Sequence, residues 1–124
     1  MNWKPEDYPS VSPYLLVREA EVTLAFVEQV FGAERLRLHM RKEGQGVMHA
    51  EARIDDSVIM MGEVAQSQEA HVHIYVPDAE AAFARALAAG GQVIQPLLRQ
   101  ADGDYRGGVA EGNGVIWWIA QEGG

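Results

Sequence analysis

Two short patterns carry most of the chemistry open to this chain: His49-x-Glu51 and His71-x-His73. On an extended strand, residues two apart share one face, so each pair presents both polar groups to the same side. If the two strands face each other across a pocket, the imidazoles and the carboxylate form a two-His, one-carboxylate set able to hold a divalent metal, which polarises a carbonyl or activates water. Glu51 would then serve as the base of an enzyme. The same groups can line a pocket without metal and anchor a ligand by hydrogen bonds and charge; the spacing leaves both readings open. The sequence has no GxxxxGK[ST] or GxGxxG phosphate loop and no serine in a nucleophile-elbow setting.

The alternation around these pairs says how they are held. His49, Glu51 and Arg53 alternate with Ala50, Ala52 and Ile54; His71, His73 and Tyr75 alternate with Val72, Ile74 and Val76; Arg37, His39 and Arg41 alternate with Leu36, Leu38 and Met40. Each is a half-buried strand, with an apolar face for helix packing and a polar face for chemistry, and all four histidines fall on polar faces. An open sheet with one wet side would show the same alternation without any function. Two stretches switch to helical spacing. Glu19–Phe31 carries Val22, Leu24, Phe26, Val27, Val30 and Phe31 on one broad face and stops at Gly32; Asp78–Ala89 stops at Gly90-Gly91. Pro13–Val17, Ser57–Met61, Gln92–Leu98 and Val115–Ala120 read as further strands. Asp102–Gly108 reads as a turn-rich loop from which Arg106 could close over a pocket mouth onto an anionic group, with Val109 starting a short strand.

Composition narrows the function classes. With 18 acidic residues against 10 Lys+Arg and a net charge of −8, the chain repels phosphate backbones, so nucleic acid is not an expected partner and a cationic ligand is favoured over an anionic one. The absence of cysteine removes disulfides, Cys-ligated metals and thiol nucleophiles, and leaves His and carboxylate as the strong ligands. No apolar run approaches the ~20 residues of a membrane helix. A soluble, cytoplasmic protein is expected. The 124 residues suffice for one ordinary core without staples. Residues 1–9 read as a polar, Pro-punctuated N-terminal tail, and 10–124 as a single domain.

An internal repeat organises that domain. Val17-x-Glu19-Ala20-Glu21 matches Val76-x-Asp78-Ala79-Glu80 at an offset of 59 residues, and Leu24/Phe83 and Gly32/Gly91 keep the same offset. Strand, acidic helix start, apolar mid-helix residue and terminal glycine all recur. The chain therefore divides into two βαβββ modules, 10–62 and 70–120.

Ser12-Pro13-Tyr14-Leu15-Leu16-Val17, Phe31-Gly32-Ala33-Glu34, Val47-Met48-His49-Ala50-Glu51, Gly103-Asp104-Tyr105-Arg106-Gly107-Gly108-Val109, Asn113-Gly114 and Trp117-Trp118-Ile119-Ala120 follow one another in the order seen in a known group. In these residues the sequence resembles the vicinal oxygen chelate superfamily of glyoxalases, bleomycin-resistance proteins and extradiol dioxygenases, and in particular its small PhnB-like members. The resemblance implies an α+β fold in which two βαβββ modules form a curved mixed-sheet cup, with the helices on the outer face and the ligand inside. It also implies a homodimer. Metal-dependent members take one ligand from each of four strands, typically His, Glu, His and Glu, and these positions fall here on Ser12, Glu51, His71 and Trp118. Only Glu51 and His71 are ligand types, since an indole nitrogen is a donor only. His49, His73 or His39 would have to complete a set, and zinc catalysis usually asks for three protein ligands.

Trp118, with Tyr14 and Tyr75, instead supplies flat apolar surface for stacking. The favoured expectation is a metal-free cup, similar to the bleomycin-resistance type, that binds a small aromatic or cationic molecule through Tyr14, His49, Glu51, Arg53, His71, His73, Tyr75, Arg106 and Trp118. The alternative is a lyase, isomerase or dioxygenase with a divalent metal on a nonstandard ligand set. A weaker third reading has the cup vestigial and the domain acting through protein contacts. Trp117, sharing its face with Val115 and Ile119, is expected on the helix side.

Overall fold

The computed structural model describes residues 3–123. Its elements run β1 (Tyr14–Val17), α1 (Ala20–Phe31), β2 (Glu34–Met40), a 3-10 turn (Lys42–Gly44), β3 (Val47–Ile54), β4 (Ser57–Glu63), β5 (Ala70–Tyr75), α2 (Ala79–Ala88), β6 (Gln92–Arg99), β7 (Tyr105–Ala110) and β8 (Val115–Gln121). They form two four-stranded mixed sheets of identical topology, β1-β4-β3-β2 and β5-β8-β7-β6, in which the first and last strand of each module pair in parallel. This is the expected α+β fold of two βαβββ modules, and the helices begin at Ala20 and Ala79, at the repeat offset read from the sequence.

The repeat extends to contacts that no local pattern announces. In the first module Glu63, at the end of β4, accepts the Ala20 N–H through Oε2 and the Val47 N–H through Oε1. In the second, Gln121 at the end of β8 accepts the Ala79 N–H. Each helix N-terminus, with its unpaired donors and positive dipole end, is thus capped from the last strand of its own module. Asp78 adds a local cap by accepting from Ala81, whereas Glu19 caps nothing. Gly32 ends α1 in the left-handed conformation, at φ 66°, where a side chain would be strained.

The apolar faces build one continuous core. Ala50, Ala52 and Ile54 of β3, Ile59 and Met61 of β4, Val109 of β7 and Val115, Trp117 and Ile119 of β8 are buried with Leu24, Phe26, Val27 and Val30 of α1 and Ala82 and Ala86 of α2. Trp117 of the second module stacks on Phe26 at 6.1 Å and packs against Phe31 at 5.3 Å, both on the helix of the first. Ile54 and Ile59 share a cleft with Val72, Ile74 and Trp117. The two modules therefore join through their apolar sides and helices.

Three local expectations are corrected. Tyr105–Gly108 is strand, and Arg106 lies within β7 rather than in a loop before it. The paired glycines are there for lack of room: a Cβ on Gly107 would meet the Phe83 ring at 2.6 Å and the Leu97 backbone at 2.9 Å, and one on Gly108 the Trp118 ring at 2.7 Å. Leu38 and Met40 are exposed, not buried: both lie on β2, the edge strand of the first sheet, where Leu38 sits opposite Ala50 yet stays open to solvent. Val22 of α1 is also exposed, so the helix buries a narrower face centred on Leu24, Val27 and Val30.

Candidate functional site

On the polar face of the first sheet, β3 delivers His49 and Glu51, β1 delivers Tyr14, and β2 delivers His39 beside His49. Glu51 is 1% exposed, and such a buried carboxylate must have its lone pairs met. His49 Nε2 lies 2.7 Å from Glu51 Oε2, and Tyr8 O–H donates to Oε1 at 2.5 Å. A carboxylate only accepts, so Nε2 of His49 donates to it, while Nδ1 lies 3.1 Å from the Tyr14 hydroxyl. Burial pushes the Glu51 carboxyl up, but the bonds from Tyr8 and His49 and the charges of His49 and Arg37 outweigh it and hold it below the usual carboxylate value. Glu51 therefore stays ionised, with its proton-donor partners fixed on both oxygens. Arg53 donates to the Asp7 carbonyl at 2.6 Å and lies over the Tyr8 ring.

On the polar face of the second sheet, Trp118 Nε1–H donates to His71 Nδ1 at 3.0 Å, and the two rings are nearly parallel. His71 Nε2 then donates to Glu69 Oε2 at 2.8 Å. The Trp118 ring lies flat over Gly108 on β7. Two residues earlier on β7, Arg106 donates through Nε to His73 Nε2 at 3.0 Å and through Nη2 to Asp102 at 3.0 Å. Partial burial and the Arg106 charge push the His73 imidazole below its usual value, so it stays neutral and accepting. Tyr75 O–H donates to Asp104 at 2.6 Å. Arg106 is thus spent on neighbours within its own module.

The structure brings the sequence-derived residues into two groups: Tyr14, His49, Glu51 and Arg53 on one sheet, and His71, His73, Tyr75, Arg106 and Trp118 on the other. No hydrogen bond, ion pair or ring contact among the described residues joins the two groups. Among the described residues, no cluster of three or more His, Cys, Asp or Glu is close enough to share a metal. The donor chemistry does not fit a four-ligand metal centre either: Glu51 and His71 belong to different sheets, both oxygens of Glu51 and both nitrogens of His71 are already bonded, and Trp118 has no lone pair to offer. The repeat adds a further mismatch. The counterpart of β8 is β4, not β3, and the β4 residue beside Tyr14 and Glu51 is Met60.

Sequence reasoning missed Tyr8, which lies in the Pro-punctuated segment before β1, where no periodicity marks it. It also missed a buried polar cluster between the modules. Asn113 of the β7–β8 turn donates to the Glu19 carbonyl at 2.7 Å and to Thr23 Oγ1 at 2.8 Å, and Thr23 donates to Glu111 Oε1 at 3.1 Å. Glu111 Oε2 and Trp117 Nε1 are buried without a partner. Burial pushes the Glu111 carboxyl up to about 7, against smaller opposing contributions from Thr23 and Trp117.

Two βαβββ modules with polar faces rich in His, carboxylate and aromatic residues define a class, and the chain belongs to it: residues 10–119 match the Glyoxalase/Bleomycin resistance protein/Dioxygenase superfamily. Within that superfamily it is 29% identical to an uncharacterized protein of Mycobacterium bovis, over 91% of this chain and 83% of the relative. In fold it is similar to TioX from a Micromonospora species (TM-score 0.76, 19% identity, 92% of this chain and 98% of that one). It is also similar to a PhnB protein from Bacillus cereus (TM-score 0.69, 18% identity, covering 91% and 99%). A third likeness is to the fosfomycin resistance protein FosX from Listeria monocytogenes, solved with Mn(II) and sulfate (TM-score 0.74, 16% identity, covering 91% of each chain).

Proposed function

We propose that this protein binds a small aromatic or cationic molecule, without a metal, in a cup formed when two copies associate. The observation that carries the reading is Trp118. It takes the place of the fourth metal ligand that the family resemblance implies, commits its only polar atom to His71, and lays its ring over Gly108 as a flat platform. Stacking on such a ring suits a planar or cationic ligand.

The second copy brings together what one chain keeps apart, since no contact joins the two polar groups within a single chain. Their charges are complementary. Arg37, Arg53 and Glu51 mark the first face, and Glu69, Asp102, Asp104 and Arg106 the second. A homodimer that sets the first face of one copy against the second face of the other gathers all nine candidate residues around one ligand. Tyr14 and Tyr75, 50% and 61% exposed in one chain, would line that enclosure.

The test combines sedimentation with binding. The wild type should sediment as a dimer and bind 4-methylphenol or benzyltrimethylammonium, and Trp118→Ala should weaken that binding at least about ten-fold while leaving the fold intact. A monomer that binds neither probe, or purified protein carrying one tightly held divalent metal per chain, overturns the reading. The second reading, a lyase, isomerase or dioxygenase of the same superfamily, is favoured by the His49–Glu51 pair, which sets an imidazole and a carboxylate side by side on the polar face. It fails if Glu51→Gln and His71→Ala leave metal content and every tested turnover unchanged.

A further inference from the structure

Tyr8 occupies the first polar face as a ligand would. Its ring lies with the Arg37 guanidinium 5.2 Å and the Arg53 guanidinium 5.7 Å from its centre, its hydroxyl donates to the buried carboxylate of Glu51, and the preceding carbonyl of Asp7 accepts from Arg53 Nη1. No helix or strand holds this segment in place. A loose turn closes it, from the Tyr8 N–H to the Pro5 carbonyl at 3.3 Å, and Asp7 adopts φ 66°, a conformation unfavourable for a residue with a side chain. The order of the segment therefore comes from the contacts of Tyr8 with the face. A face whose own anchor is a buried, ionised carboxylate needs an O–H or N–H donor there, and the two guanidiniums need a flat π surface rather than a second cation.

We infer that Tyr8 is an internal stand-in for the ligand: the first polar face is a subsite for a neutral hydroxyaryl group, which binds by displacing the Tyr8 strap from Glu51, Arg37 and Arg53. This rests on the ligand-binding reading above and narrows it. A cationic head would be repelled by Arg37 and Arg53 at this end, so any cationic part of the ligand belongs at the second face. The strap also sets the affinity. An incoming phenol replaces one aryl hydroxyl by another and gains only the difference between them, and removing Tyr8 removes that competition.

The experiment uses the full chain, 4-methylphenol as probe and toluene as the control without a hydroxyl. Tyr8→Ala should bind 4-methylphenol at least about ten-fold more tightly than the wild type by calorimetric titration, and toluene at least about ten-fold more weakly than 4-methylphenol. In the wild type, saturating 4-methylphenol should speed amide exchange at Glu6, Asp7 and Tyr8; this measurement does not depend on the variant folding. Equal affinity of the two chains, toluene binding as well as 4-methylphenol, or wild-type binding that leaves exchange of the strap unchanged overturns the inference. The outcomes separate from those of the broader reading. Trp118→Ala should need more 4-methylphenol but, once saturated, should release the strap as the wild type does, and a dimer that binds its probe while the strap stays closed defeats the strap alone.

Discussion

Trp117 and Trp118, adjacent on β8, face opposite sides of the second sheet and have opposite duties. Trp117 is fully buried, stacked on Phe26 of the other module, whereas Trp118 lies on the polar face over Gly108 and donates to His71. The period of two along a strand separates them by one residue and the whole thickness of the sheet.

Their substitution should therefore separate stability from binding. Trp117→Ala removes the largest side chain joining the modules and is expected to cost about 3–5 kcal/mol in urea unfolding. Trp118→Ala, on the open face, should cost about 1 kcal/mol or less and act on binding instead. A Trp117→Ala protein as stable as the wild type would show that the modules hold together without this contact.

The same contrast divides the paired glycines of β7. Gly107→Ala drives a methyl into the Leu97 backbone, which cannot give way, and should destabilise by about 1–3 kcal/mol. Gly108→Ala meets only the Trp118 ring, which can swing aside; it should change stability by about 1 kcal/mol or less and weaken probe binding as much as losing the ring does. Equal loss of stability in the two variants would contradict this assignment.

Glu111 makes stability fall as pH rises. Its carboxyl titrates at about 7 in the folded protein against 4.5 as the reference, so the folded state holds the proton longer than the unfolded one. The contribution is fully present below about pH 4.5, declines from there to about pH 7, and is absent above; over that window it is on the order of 3 kcal/mol. Glu111→Gln should flatten this decline and exceed the wild type in stability at pH 8, read from denaturant midpoints across pH. A parallel decline in the variant would assign the effect to other groups.

Glu51 acts in the opposite sense. Its folded carboxyl titrates below the usual value, so it stabilises above the unfolded pKa and loses that contribution as pH falls through the folded one. Glu51→Gln loses the charge-assisted bonds to Tyr8 and His49 and should cost about 1–3 kcal/mol at pH 7, with the difference from wild type shrinking under acid. A difference that grew as the pH fell would reverse the sign assigned here.

Much of the fold was legible because it is written in local periods. Alternation at 49–54 and 71–76, helical spacing at 19–31 and the repeat offset of 59 residues each depend on residues a few positions apart, and the two modules follow from them. The faces of His49, Glu51, His71, His73 and Trp118 followed in the same way, since a strand leaves each side chain only two directions. The exposure of Leu38 and Met40 was not legible, because the place of β2 at the edge of its sheet is set by strand pairing and not by its own alternation.

Sequence alone determined the two modules and which residues share each polar face. Only the tertiary structure decided that the two polar groups do not meet within one chain, that Tyr8 fills one of the faces, and that Glu111 is buried between the modules. The physical reason is range. What meets across the modules depends on which apolar groups pack together, and here α1 packs on α2 and Trp117 on Phe26 and Phe31, residues far apart in the chain. Tyr8 is likewise held by Glu51, 43 positions away, through contacts that leave no trace in the spacing of the residues around it.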